Sequence, residues 1–147
     1  MVRALAGLLA LLGAQAAAAA PGAAPEARVY AEGQAWDYRT RPQDAGSLLR
    51  IQRIEDHPGY GRIYHVSVVG VRFAGRGEAT VISHLPVSRA TLDASVTRLA
   101  RRAADFPDAD EGIAMWREAQ GGVFDVPLSE IVGFAEAAMQ QTPVARK

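Results

Sequence analysis

The stretch 47-SLLRIQRIEDHPGYGRIYHVSVVGVR-72 decides the fold. Leu49 and Ile51 alternate with Arg50 and Gln52, and residues 62–72 are dense in β-branched and aromatic side chains. Period two of this kind is the signature of strands. Asp56-His57-Pro58-Gly59-Tyr60-Gly61 separates the two runs with turn residues, so they form an antiparallel hairpin. Pairing Leu49 with Val68 sets Ile51 opposite Val66 and puts all four on one face. A one-residue slip would turn every one of them over, so the register is well specified.

Working outward, residues 34–40 and 78–85 also alternate, and turn residues lie at 41–46 and 74–77. Pairing Tyr38 with Leu49 sets Trp36 against Ile51. Pairing Val66 with Leu85 sets Gly70 against Val81. The reading is a four-stranded antiparallel meander with one apolar face: Trp36, Tyr38, Leu49, Ile51, Tyr64, Val66, Val68, Val81 and Leu85. The opposite face carries the row Asp37, Arg50, Ser67, His84 and a neighbouring row with Gln52 and His65. Ile54, Ile63, Val69 and Ile82 fall there too, so that face is not purely polar.

Helical spacing follows. Ser88 is a good N-cap for residues 89–102, in which Leu92, Val96 and Leu99 form a stripe. Residues 112–120 read as a short helix, Val123 to Val126 as a short edge strand, and 127–141 as a helix with Pro127 near its first turn. Strands first and helices after give an α+β fold, with two or three helices packed on one face of the sheet. Residues 29–141 are expected to form a single domain.

The N-terminus supplies an address. Arg3 precedes an apolar run from Ala4 to Ala14, followed by small residues that include Ala14-Gln15-Ala16. This is the layout of a secretory signal peptide over residues 1–20. Its core is too short for a membrane span of about 20 strongly apolar residues. Residues 21–28 read as a flexible leader and 142–147 as a frayed tail. Every basic residue except Lys147 is arginine, as in GC-rich bacterial genomes. The expected location is therefore periplasmic or secreted.

Composition narrows the chemistry. The chain has 147 residues, 16 basic and 16 acidic, and no cysteine. Disulfides, thiolate catalysis and zinc–cysteine sites are excluded. The balanced charge gives no footprint for nucleic acid. Neither Gly75-Arg76-Gly77 nor Gly121-Gly122 fits a phosphate-cradling loop.

Ser67, His84 and Asp37 share a row, but Asp37 lies three strands from His84, about 14 Å away at 4.8 Å per strand. It cannot orient that imidazole, so no catalytic residue is assigned. His65 and His84 sit diagonally on one face and could hold a metal if a carboxylate joined them, but this register brings none. No cofactor and no metal are expected. The acidic run 105–112 reads as negative charge at a helix N-terminus rather than a calcium loop. His57 reads as a turn residue. Trp36, Tyr38 and Trp116 read as core, Trp116 becoming a sugar platform only if exposed.

The segments GQAWDYRTRPQDAGSLLRI, GRIYHVSVVGV, HLPVS with TLDASVTRL, and GVFDVPLSEIVGF resemble those of a set of small bacterial proteins. The resemblance spans about residues 30–136, implies one folding unit, and carries no activity. The leading expectation is an exported, non-catalytic domain that binds a protein or small ligand or serves a structural role in the envelope. Its candidate binding residues are Arg50, His65, Ser67 and His84. The alternatives are a small metal-dependent or hydrolytic enzyme using His65 and His84 on the outer sheet face, or a small-ligand carrier.

Overall fold

The computed structural model describes residues 27–142. The signal peptide, most of the leader, and the tail beyond Thr142 lie outside the described residues. The elements in chain order are β1 (Ala35–Tyr38), β2 (Leu48–His57), β3 (Gly61–Val71), β4 (Thr80–Val87), α1 (Arg89–Ser95), β5 (Val96–Leu99), α2 (Asp110–Glu118) and α3 (Leu128–Gln141). The fold is α+β with an antiparallel sheet in the order β4-β3-β2-β1-β5. No helix among the described residues is long and apolar enough to cross a membrane.

The central hairpin stands as read: Leu49 pairs with Val68, Ile51 with Val66, and Val66 with Leu85. Val66 and Val68 are fully buried in the main core, with Trp36, Tyr38, Leu92, Leu128, Ile131 and Val132. Alternation in the strands therefore meets the apolar stripes of α1 and α3 on this face. The first hairpin differs by two residues, since Trp36 pairs with Leu49 rather than Ile51. A shift of two keeps Trp36 and Tyr38 facing the core.

Two breaks in the β3–β4 register move Val81 out of the core. Val68 pairs with Ile82 and Val71 with Thr80, so β4 carries an extra residue near His84 and β3 one near Gly70. Val81 is left 47% exposed, and Ile82 packs on the core instead.

The sheet has five strands, not four. The helix expected over 89–102 stops at Ser95, and Val96–Leu99 pairs with β1 as an edge strand. Ser88 does cap α1, its side chain accepting from the Thr91 N–H at 3.2 Å. Local propensity for helix loses here to tertiary demand. β1 buries Trp36 and Tyr38 and offers a free edge, and β-branched Val96 and Thr97 suit a strand. Leu99, expected on a buried stripe, is 52% exposed. The stretch 123–126 contributes only one parallel bridge, Phe124 to Val87.

The helices do not share one face. Leu92 of α1 and Leu128, Ile131 and Val132 of α3 join the main cluster, whereas Ile113 of α2 lies outside it. α2 covers the other face, the one carrying His65 and His84. Leu48, Ile63, Ala109 and Ile113 are buried there.

A buried ion network anchors α3. Asp44, 1% exposed, accepts from the Arg41 guanidinium at 2.6 Å and from the Arg72 N–H at 2.8 Å. Arg41 also pairs with Glu136 on α3, which accepts from the Ala74 N–H. Removing the carboxylate leaves the Arg72 N–H without its acceptor and takes from the part-buried Arg41 guanidinium one of its two acidic partners. Asp44→Ala is expected to lose about 3 kcal/mol of stability, read as the shift in urea midpoint at constant slope.

Candidate functional site

The site lies between the β2–β3 turn and α2, and a bulge in β2 creates it. Ile51 pairs with Val66 and Arg53 with His65, so Gln52 is an extra residue. Past that point every β2 side chain changes face. Ile54 turns onto the main core. Glu55 turns onto the histidine face, where the regular register had placed no carboxylate.

His65 and His84 meet as their diagonal placement implied: His65 Nδ1 lies 2.8 Å from His84 Nε2, with the rings stacked at 5.0 Å. Glu55 Oε1 lies 3.2 Å from His65 Nε2, a contact too oblique for an in-line hydrogen bond. The other Glu55 oxygen accepts from Arg117 of α2. Trp116 closes over the pair, edge-on to the His65 ring at 5.1 Å.

These contacts assign the protons. The Arg117 hydrogen bond holds the Glu55 carboxyl below its usual range, against the opposing effect of burial, so Glu55 is ionised. An ionised oxygen beside His65 Nε2 favours the proton on that nitrogen. His65 Nδ1 then accepts, and His84 Nε2 donates. Both rings are neutral: burial pushes His65 down and pushes His84 down to about 4.

The sheet face expected to lie open is therefore closed. His65 and Ser67 are fully buried, and His84 is half-buried beneath α2. Gly112 permits that approach, since a Cβ there would stand 2.6 Å from His84 Cβ. Ion pairs from Arg53 to Asp110 and from Glu55 to Arg117 tie both ends of α2 to β2. Asp110 and Glu111 sit in its first turn, where negative charge suits the helix dipole.

Ser67 does not bond His84. Its hydroxyl donates to the Ser83 carbonyl at 2.6 Å and accepts from Gln52 Nε2 at 3.0 Å. With its proton committed to a backbone carbonyl and no surface exposed, Ser67 is not placed as a nucleophile. Arg50 is separate from this group: its guanidinium lies over the Phe106 ring at 5.8 Å, and its buried Nε has no hydrogen-bond partner. Asp37 and Arg50, expected side by side in one row, are not neighbours, because the two-residue shift in β1 puts Ala35 opposite Arg50. Asp37 pairs with Arg98 of β5. Among the described residues no three His, Cys, Asp or Glu side chains converge as metal ligands.

Beside the histidine pair a cleft of about 590 Å³ opens to solvent, lined by Glu55, Asp56, His57, Tyr60, Trp116, Arg117, Gln120 and Gly121. The sequence reading missed it. His57 is more than a turn residue: it packs on Tyr60 at 5.0 Å and on Trp116 at 6.1 Å. Trp116, expected in the core, is half-buried and forms part of the cleft wall. Its indole N–H donates to the Gly122 carbonyl at 2.8 Å, and a Cβ on Gly121 would meet the ring at 2.3 Å. Gln120 holds a left-handed backbone, φ 49°, next to it.

Two predictions follow from the packing of α2. Gly112→Ala forces the helix off His84 and is expected to cost about 1–3 kcal/mol, seen as a lower melting temperature. Stability is also expected to fall on acidification. The unfolded chain binds protons at His84 below about pH 6.5, whereas the folded one resists until about pH 4. The contribution is therefore full above pH 6.5 and lost progressively down to pH 4, by about 1–2 kcal/mol after allowance for solvent screening. Loss of the Glu55 pair adds only at the acid end. Urea titrations across this range should show a shallower pH slope in His84→Gln. No family model, no curated protein and no solved structure matches the chain.

Proposed function

We propose that this chain is an exported, non-catalytic bacterial domain that binds a small ligand in the cleft between the β2–β3 turn and α2. One observation carries the reading: three aromatic rings and several polar side chains line an open cavity of ligand size, while His65 behind it is fully buried. A general base needs an accessible lone pair within reach of a substrate proton. His65 has no surface to offer, and its two nitrogens face Glu55 and His84. Its role is to hold Glu55, Trp116 and Arg117 in fixed positions along the cleft wall. The export reading rests on the layout of residues 1–20, and the likeness to small bacterial proteins is part of the same reading.

The test has two arms. Full-length chain produced in a bacterium should appear in the periplasmic fraction or medium, shortened by its leader, as intact mass shows. Small-molecule pools added to the isotope-labelled mature protein should shift the amide and indole signals of His57, Tyr60, Trp116 and Gln120 first. Shifts gathered instead around Arg50 or Ser67 would remove the cleft from the reading. Retention of the whole chain in the cytoplasm would remove export.

A further inference from the structure

We infer that the cleft ligand is a neutral carbohydrate, a mono- or disaccharide unit. This rests on the cleft being the binding site and adds the class of ligand to it.

The charges on the wall carry the argument. Glu55 is already bonded to Arg117 on one oxygen and faces His65 with the other. Asp56 is gripped by Arg62 through both oxygens, at 2.9 and 3.3 Å. Both acids of the cleft thus have guanidinium partners, and no carboxylate is left in excess. An ionic ligand would surrender hydration here without meeting a net opposite charge, and desolvating an ion unpaired is costly. A hydrocarbon would instead cover paired charges and leave their remaining lone pairs and N–H groups without water or partners.

A sugar meets neither penalty. Each hydroxyl both donates and accepts, so a row of hydroxyls can take a carboxylate lone pair and a guanidinium N–H side by side. Its C–H faces need flat, partly apolar walls, and the site has them. Tyr60 is 52% exposed, and its ring leans on His57 at 37° between planes, with Trp116 beyond. Such rings offer an apolar body with a polar tip. The neutral donors and acceptors complete the set. The Gly59 N–H donates to His57 Nδ1, so the His57 proton sits on Nε2 as a free donor. The exposed Gln120 amide stands on the left-handed residue that ends α2, a position glycine would occupy more easily.

The experiment is a titration of the isotope-labelled mature protein with cellobiose, maltose and N,N′-diacetylchitobiose. Arginine methyl ester, citrate and adenosine are added separately at the same concentrations. The readout is the Trp116 indole N–H signal and the His57 ring signals, with the Trp36 indole as an internal control. Saturable shifts with the disaccharides, and none with the other three, are expected. Tyr60→Ala should weaken the affinity about tenfold, as loss of a stacking ring does. Gln120→Gly should also weaken it while leaving the melting temperature equal or higher, since glycine relieves the backbone. That variant separates lost contact from lost fold. Saturation by the ester, citrate or adenosine with no response to sugars would overturn the carbohydrate assignment and keep the cleft as a binding site. Silence at Trp116 and His57 with all six compounds would overturn the carbohydrate assignment and count against the cleft reading beneath it. Sugar-induced shifts that survive unchanged in Tyr60→Ala would also overturn it.

Discussion

One extra residue in β2 determines which groups meet beneath α2. Without the bulge at Gln52, Glu55 would point into the main core and Ile54 onto the histidine face, and His65 would sit under a helix with no carboxylate beside it. With the bulge, Gln52 spans from Ser67 to the Pro107 carbonyl, both at 3.0 Å, and pins the loop that leads into α2. The irregularity therefore does two things. It delivers Glu55 to Arg117, and it fastens the segment that brings Arg117. A bulge that re-aims a side chain next to a site is a recurring use of this distortion.

The consequence is a sheet covered on both faces by different means. The main face is closed chiefly by apolar area, through Leu92, Leu128, Ile131 and Val132 against Val66 and Val68, with the Arg41–Glu136 pair at its edge. The second face is closed by a short helix with only Ile113 fully buried and ion pairs at both ends. Surface ion pairs contribute little to stability individually, about 0–1 kcal/mol. The cover over His65 is thus the weaker of the two, and the geometry there depends on fit. Gly112 and Gly121 show where that fit is tightest, against His84 and Trp116. Burial keeps both imidazoles neutral, so the layer relies on hydrogen bonding rather than charge at its centre.

Much of the fold was legible because alternation and pairing support each other. Leu49, Ile51, Val66, Val68 and Leu85 could be matched only one way, and they are matched so. The diagonal His65–His84 neighbours came out of the same register. What escaped has physical causes. A bulge has no sequence signal when the extra residue is an ordinary Gln, so the regular register puts Ile54 on the histidine face and brings no carboxylate there. Val96–Leu99 carries a helical stripe, and only the edge of β1, formed by residues some 60 positions away, makes a strand of it. Trp116 looked like core because aromatic residues are usually buried. Yet one signal was present and under-used. Ile63 falls on the face assigned to solvent, and a fully buried isoleucine there requires a cover. With no other apolar helix unspent, that cover had to be the segment holding Ile113 and Trp116.

The same covering explains why the cleft opens where it does. α2 ends at Glu118, while β2 and β3 run on to the turn at His57–Gly61, so the far end of the hairpin projects past the helix. Side chains of the hairpin tip and the last turn of α2 then face one another with nothing between them. His57, Tyr60, Trp116 and Gln120 all come from these ends. Loops carried on rigid elements are where binding groups concentrate, because the scaffold fixes their positions while leaving them wet. Here the scaffold is the His65–His84 pair with Glu55. His65 is fully buried within it, and Glu55 reaches from it to the cleft wall. The His65–His84 pair that the sequence singles out thus lies behind the cleft, and the exposed Tyr60 and Gln120 line its mouth.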